Sequence, residues 1–322
     1  MDYKGKKVLV AGGAGLVGTN LAIRLTDLGA DVRATIHYRR PVPTHRGVEY
    51  VEYDLTQYND CLKAVRGIDY VFMCAAVIAG AGVITKDPLF NVTPNILLNT
   101  QMLAAAYAEG IKKYLTFGSS TAYPHSDYPL REARMMSGNP PDQYFFIGWV
   151  MRFKEKLCEM YSNRIKNPMP VVVLRPTNIY GPYDNFDLDR SHVTPALIRK
   201  VVERHNPLEV WGTGDDIRDL VYVDDIVDAV LLAMDKVNRY DPINIASGRP
   251  CSIKEILSTA LAVEGYLPKV IYNSNKPSTI SKRIVDTSKA RLMLSWDAKT
   301  SLYDGILKTI EWYKSVGRRI WK

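Results

Sequence analysis

Val8-Leu9-Val10-Ala11-Gly12-Gly13-Ala14-Gly15-Leu16-Val17-Gly18 is the stretch whose reading decides the fold. Its four leading apolar residues are too few for a helix and suit a buried strand. From Leu16 to Leu28 apolar residues recur at helical spacing, so the order is strand, tight turn, helix. Gly12, Gly15 and Gly18 stand between and just inside these elements as G-x-x-G-x-x-G. The first glycine permits a sharp turn, the second lets backbone N–H groups approach a pyrophosphate, and the third lets helix pack on strand. Phosphates then sit at the helix N-terminus. A plain structural turn has the same glycines. The position at the first strand of an alternating chain is what points to a dinucleotide, with Gly12, Gly15, Leu16, Val17 and Gly18 as its cradle.

Working outward, strand-like runs follow at 32–36, 70–76, 114–117 and 171–174, with helical segments at 58–65, 95–109 and 149–163 between them. This alternation predicts an α/β fold, a Rossmann-type doubly wound parallel sheet with helices on both faces. After Pro176 the texture changes, with Pro, Gly, Asp and Asn frequent through 181–189, and a smaller mixed α/β C-terminal lobe is expected. A helix at 223–234 opens with Asp224 and Asp225 at its positive end, and 243–246 reads as one more strand returning to the first lobe. The expected division is 1–178 for the dinucleotide, with a return segment near 221–247, and 179–322 mainly for the substrate. No internal repeat is visible.

The 322 residues are 47% hydrophobic and 24% charged, enough for a large core. Cys61, Cys74, Cys158 and Cys251 lie far apart with no C-x-x-C pair, which argues against a metal knuckle and fits free thiols in a reducing compartment. The polar residues 1–7 leave no room for a signal peptide, so a cytoplasmic location is expected. The longest nearly apolar run, 71–84, is broken by Gly80 and Gly82 and is shorter than the ~20 residues of a membrane helix. It reads as a buried strand and the loop after it. The net charge of +8 is scattered, apart from Tyr38-Arg39-Arg40 and Gly317-Arg318-Arg319. A field that attracts a dianionic small molecule is preferred to nucleic-acid binding.

Where an acidic residue would bind the adenosine ribose of NAD, the second strand ends instead in His37-Tyr38-Arg39-Arg40. Arginine there suits the 2′-phosphate of NADP, which is favoured over NAD; solvated loop charges are the alternative. Asp54-Leu55 either meets the adenine amino group or caps a turn.

Cys74-Ala75-Ala76, the segment from Gly118 to Pro124, Arg175-Pro176-Thr177-Asn178-Ile179-Tyr180-Gly181-Pro182 and the segment from Arg218 to Asp225 resemble the extended short-chain dehydrogenases that act on nucleotide sugars. Within that group, Tyr183-Asp184-Asn185-Phe186 and the segment from Ser191 to Ile198 look most like GDP-fucose synthases, which epimerise and reduce a 4-keto-6-deoxy sugar. The resemblance implies that Ala75, Ala76 and Pro176 line the cofactor and that Ser119 meets the sugar C4 oxygen. It also implies that His192 is an acid in epimerisation, and that Asn178, Lys200, Trp211 and Arg218 contact the GDP-sugar. It further implies a homodimer formed through helices 95–109 and 149–163, whose apolar faces include Leu97, Leu98, Met102 and Leu157; burial within one subunit explains these faces equally well.

The pattern fails where proton transfer is expected. These enzymes use a Tyr and, four residues later, a Lys that lowers its pKa. Gly148 and Glu155 fix a register that puts Ile147 at the Tyr position and Met151 at the Lys position. Thr121 stands where GDP-fucose synthases carry a Cys base. Tyr144 one turn earlier, Arg152 or Lys154 as a charge, and His192 with Ser119 are the conceivable substitutes. The expected function is an NAD(P)-dependent epimerase, dehydratase or reductase of a 4-keto-6-deoxy nucleotide sugar with an atypical or disabled site. The alternative is a catalytically silent protein that binds both ligands as a sensor or partner subunit.

Overall fold

The computed structural model describes residues 1–42, 44–78, 80–276, 280–317 and 320; Arg318 and Arg319, half of the basic clusters noted above, lie outside them. The chain begins β1 (Lys7–Ala11), α1 (Leu16–Asp27), β2 (Asp31–Ile36), β3 (Val48–Glu52), α2 (Tyr58–Val65), β4 (Tyr70–Met73). It continues α3 (Ala81–Lys86), α4 (Val92–Ala108), β5 (Lys113–Phe117), α5 (Phe145–Glu159), β6 (Val171–Pro176), β7 (Asn178–Tyr180), α6 (Val193–Val202). Then come β8 (Leu208–Trp211), β9 (Ile217–Tyr222), α7 (Val223–Lys236), β10 (Ile243–Ile245), β11 (Pro250–Ser252), α8 (Ile253–Glu264) and β12 (Val270–Asn273). The last elements are β13 (Lys282–Arg283), α9 (Ser288–Leu294) and α10 (Leu302–Trp312).

Seven parallel strands form one sheet in the order β10-β6-β5-β4-β1-β2-β3. The order reverses between β1 and β4, the switch point outside which an open α/β sheet takes its ligand. Alternation along β1 builds two cores. Val8 and Val10 pack with α1 and α7 through Leu21, Leu25, Ile226 and Val230, whereas Leu9 and Ala11 pack with α2, α4 and α5 through Val65, Met102 and Cys158. This is the Rossmann-type sheet expected from the sequence. The smaller C-terminal lobe is mixed: β11, β9 and β13 form a sheet that β7 joins through β9, β12 pairs with β8, and α6, α8 and α10 close a third core around Phe186, Ile198, Ile256 and Ile310.

Several details differ from the sequence reading. β4 ends at Met73 rather than Ala76: its neighbour β1 stops at Ala11, and Cys74 donates its N–H to the Ala11 carbonyl as the last rung. Part of the apolar run after it, read as loop, is the short helix α3. α4 starts three residues early because Pro94 sits in its first turn, where its missing N–H is not needed. α5 starts at Phe145 rather than Trp149 and holds Gly148 in its first turn, where a Cβ would stand 2.6 Å from Pro140. Leu98 and Met102 are buried in the subunit's own core and Leu157 packs against it, so they are not a free face. The apolar side chains that α4 and α5 expose are Leu97, Tyr107, Phe145, Phe146, Trp149 and Phe153. No helix among the described residues is long and apolar enough to cross a membrane, no group of three metal-ligating side chains occurs among them, and all four cysteines are free.

Candidate functional site

The glycine turn lies at the switch point. Gly12 takes φ +84°, and a Cβ on it would stand 2.7 Å from Ala75 Cα. Its N–H donates to Thr35 Oγ1 at 3.0 Å and that of Gly13 to the Thr35 carbonyl at 2.8 Å. A Cβ on Gly18 would collide with the Gly12 carbonyl, so helix and turn can be this close only with glycine there. Gly15 differs: a Cβ on it would meet only the Gly12 carbonyl, at 3.5 Å. It caps α1 without a side-chain acceptor, and the first turn holds no acidic residue. Open space thus faces uncapped N–H groups at the positive end of a helix, with Leu16 and Val17 in its first turn, and this fits a pyrophosphate.

Around this cradle the expected cofactor residues are placed unevenly. Ala75 and Ala76 follow β4 beside the turn, and Pro176 ends β6. His37 is exposed at the end of β2. The Arg39 Nη2 donates to the carbonyls of Tyr183 and Asp184, at 2.8 and 3.0 Å, and so ties the loop after β2 to the second lobe. Arg40 pairs with Glu52 on the surface. Asp54 Oδ1 accepts the N–H and hydroxyl of Thr56, which outweigh burial and hold its carboxyl below the ordinary range. That is the turn-capping geometry; Leu55 beside it is buried.

Asp184, which the sequence reading used only as a motif letter, has an unusual environment. Oδ1 accepts the Asn185 N–H at 2.7 Å, while Oδ2 is buried and has no partner among the described residues. Burial lifts its pKa to about 7 despite Arg39 nearby. An unfolded Asp ionises near ~3.9, so between there and about 7 the folded chain keeps a proton that the unfolded chain has lost. Stability falls with rising pH across that window. Asp184→Asn is therefore expected to be more stable than the parent at pH 7 and not at pH 4, by denaturant titration; a gap independent of pH contradicts this.

On the substrate side, Ser119 and Thr121 are brought together: the Thr121 hydroxyl and N–H donate to Ser119 Oγ at 2.8 and 3.1 Å. α5 presses on them, a Cβ on Gly148 standing 3.0 Å from the Thr121 carbonyl. Ile147 and Met151 on this helix pack in an apolar cluster with Ala122, Tyr123 and Ala246. His192 stands at the N-cap of α6 as an exposed residue, and desolvation holds its imidazole below the usual value. The Gly80 N–H bonds the Arg190 carbonyl at 3.1 Å, and Gly82 lies 3.4 Å (from its Cβ position) from the Trp211 ring. This places the segment after β4 against Arg190 and Ser191, which lead into His192, and against Trp211.

Farther out, Lys200 donates to the Glu209 carbonyl at 2.7 Å, Lys276 lies over the Trp211 ring, Arg218 is buried in β9 and Asn178 opens β7. One residue the sequence reading missed stands here. Arg283 of β13 is in register with Arg218, is buried, has Nη1 without a hydrogen-bond partner among the described residues, and lies over the Tyr144 ring with Cζ 4.4 Å from its centroid. Burial, with Arg218 adding to it, pushes its pKa down to about 10. Its signal in the sequence is a charge that opens the apolar pair Ile284-Val285. Arg218 Nη2 pairs with Asp216 at 3.4 Å, so the two neighbouring buried guanidiniums keep a net positive charge suited to an anion. Tyr144 is thus stacked under Arg283, and Arg152 donates to the carbonyls of Ala122 and Gly138.

A model of the NAD dependent epimerase/dehydratase family matches residues 8–246. The chain is 34% identical over 320 residues to the probable GDP-L-fucose synthase 1 of Oryza sativa subsp. japonica, across 96% of this chain and 92% of that protein. Among solved structures, MoeE5 in complex with UDP-glucuronic acid and NAD superposes with TM-score 0.84 at 26% identity, over 96% of this chain and 99% of the other. The GDP-mannoheptose C4 reductase from Campylobacter jejuni with NADP bound gives 0.80 at 25%, over 98% and 99%.

Proposed function

The chain belongs to the NAD dependent epimerase/dehydratase family, with a Rossmann fold of the kind that binds NAD or NADP, and on that premise we propose that it holds a GDP-linked 4-keto-6-deoxy sugar against the nicotinamide of NADP in an epimerase/reductase site lacking the usual proton-transfer pair. A bound nicotinamide supplies or takes the hydride at the sugar; the chain's own residues bind, orient and exclude water. The Ser119 hydroxyl, already gathering Thr121, faces the sugar oxygen, and His192 on the other wall is the remaining group able to exchange a proton near neutral pH. The carrying observation is the stretch of wall where α5 meets the Ser119–Thr121 loop, filled by Ile147 and Met151 in an apolar cluster. Neither side chain can exchange a proton. That same observation favours the second reading, a protein that binds both ligands without converting them.

The basic wall of Arg218 and Arg283 takes the diphosphate, and Trp211 flanks the nucleotide. Calorimetric titration with GDP tests this part. Arg283→Met is expected to weaken GDP about tenfold or more, as loss of a charge-assisted contact predicts, and to leave NADPH binding unchanged. GDP affinity unaltered by Arg283→Met removes the diphosphate assignment, and equal affinity for UDP removes the guanosine.

A further inference from the structure

α5 carries a second buried cation that neither the fold nor the salt bridges explain. Helical side chains three positions apart share a face, and each leans toward the helix N-terminus. Lys154 lies three positions beyond Met151, so its long side chain runs back along the face that Met151 occupies, toward the end of α5 where Gly148 meets Thr121. Its ammonium donates to the carbonyl of Phe117, the last residue of β5. The N–H of Gly118 points to β6, bonding the Leu174 carbonyl at 2.7 Å. The carbonyl of that same planar trans peptide unit therefore points the other way, to the β4 side. β4 and β5 pair no further than Met73 with Thr116. The ammonium consequently lies on the β4 side of β5, at the level where the two strands part; there the chain leaving β4 runs through Ala75, which Gly12 touches.

The charge there is unmatched. Glu155, the adjacent residue, is committed to Arg175 and to the Tyr240 hydroxyl. Among the described residues, the acceptor that Lys154 reaches is one neutral carbonyl, and an ammonium has three donors. Burial lowers its pKa, opposed by Cys158 and Glu155. A buried cation satisfied once is costly unless something else completes its shell.

We propose that Lys154 supplies, from one turn further along α5, the ammonium that position 151 lacks, and that it binds the nicotinamide-side ribose hydroxyls of the dinucleotide. This rests on the dinucleotide reading of the site. NADPH affinity, measured calorimetrically on the full chain, tests it in the parent, in Lys154→Met and in Lys154→Met/Met151→Lys. Lys154→Met is expected to weaken NADPH about tenfold or more, as loss of a charge-assisted hydrogen bond predicts. Moving the lysine to 151 restores affinity to within about threefold, while Met151→Lys alone, with Lys154 present, gains less than about threefold over the parent because the site already has its ammonium; a gain of about tenfold in that single variant overturns the assignment. Lys154→Gln, neutral and of similar length, gives the same loss and serves if the methionine variant folds poorly. Unchanged affinity in Lys154→Met and Lys154→Gln, or a loss that the relocated lysine fails to repair, overturns the assignment while leaving the dinucleotide site standing. A parent chain that binds no NADPH overturns both together.

Discussion

The Ile147→Tyr/Met151→Lys double variant is expected to transfer hydride from NADPH to a GDP-4-keto-6-deoxy sugar at least ~10²-fold faster than the parent chain, as restored general acid–base catalysis predicts. The surroundings are already in place. Ser119 and Thr121 are joined by a 2.8 Å hydrogen bond, Gly148 lets α5 approach their loop, and Ile147 packs beside Ala122 and Tyr123. A phenol at 147 would therefore enter the cleft next to Ser119, and an ammonium at 151 would favour its ionised form. Ile and Met offer no proton, so the parent retains only binding, orientation and whatever His192 provides. Loss of NADPH absorbance together with product stereochemistry is the readout. Equal rates in both chains would mean that the helix register, or the choice of proton-transfer group, is wrong.

The second large effect is on stability. Arg175, at the end of β6, pairs with Glu155 on α5 at 2.7 Å, with side chains 3% and 0% exposed. Nε bonds both carboxylate oxygens, and Nη1 reaches the Tyr123 hydroxyl and the Glu132 carbonyl. Burial disfavours the guanidinium, but the carboxylate beside it raises its pKa on balance. Removing one partner leaves a buried charge uncompensated, which typically costs about 3–5 kcal/mol. Glu155→Leu and Arg175→Met are each expected to lose that much in urea unfolding. The double variant loses clearly less than the sum, because two apolar groups leave no orphan charge. A single-variant loss below about 1 kcal/mol, the range of surface pairs, would show that the pair is not what holds α5 to β6.

The parts of the fold legible in the sequence are those where the backbone leaves little choice. A turn at φ +84° and a strand–helix approach too close for any Cβ require the glycines at 12 and 18, and short apolar runs separated by helical spacing admit few alternatives to a parallel sheet. What was not legible depends on neighbours distant in sequence. Leu98 and Met102 look like a surface stripe until the sheet is placed beneath them. The start of α5 at Phe145 is another case, because Gly148 in its first turn lies where Pro140 leaves no room for a Cβ. The bonds of the Arg39 guanidinium to the carbonyls of Tyr183 and Asp184, some 144 positions away, could not be read from its neighbours in sequence. Arg283 was invisible because only the register of β13 with β9 sets it beside Arg218. Lys154 was visible as a spare charge, but its direction came only from the Phe117 and Gly118 peptide.

The most direct test of the account is a calorimetric titration of the unaltered chain with NADPH, followed by the GDP-4-keto-6-deoxy sugar in the same cell while NADPH absorbance is recorded. The account predicts saturable binding of both ligands, the second on top of the first, with NADPH consumption at least ~10²-fold below that of the Ile147→Tyr/Met151→Lys chain. Absence of NADPH binding would contradict the reading of the glycine turn, and turnover at the rate of the double variant would contradict the assignment of Ile147 and Met151 to the lost proton-transfer pair.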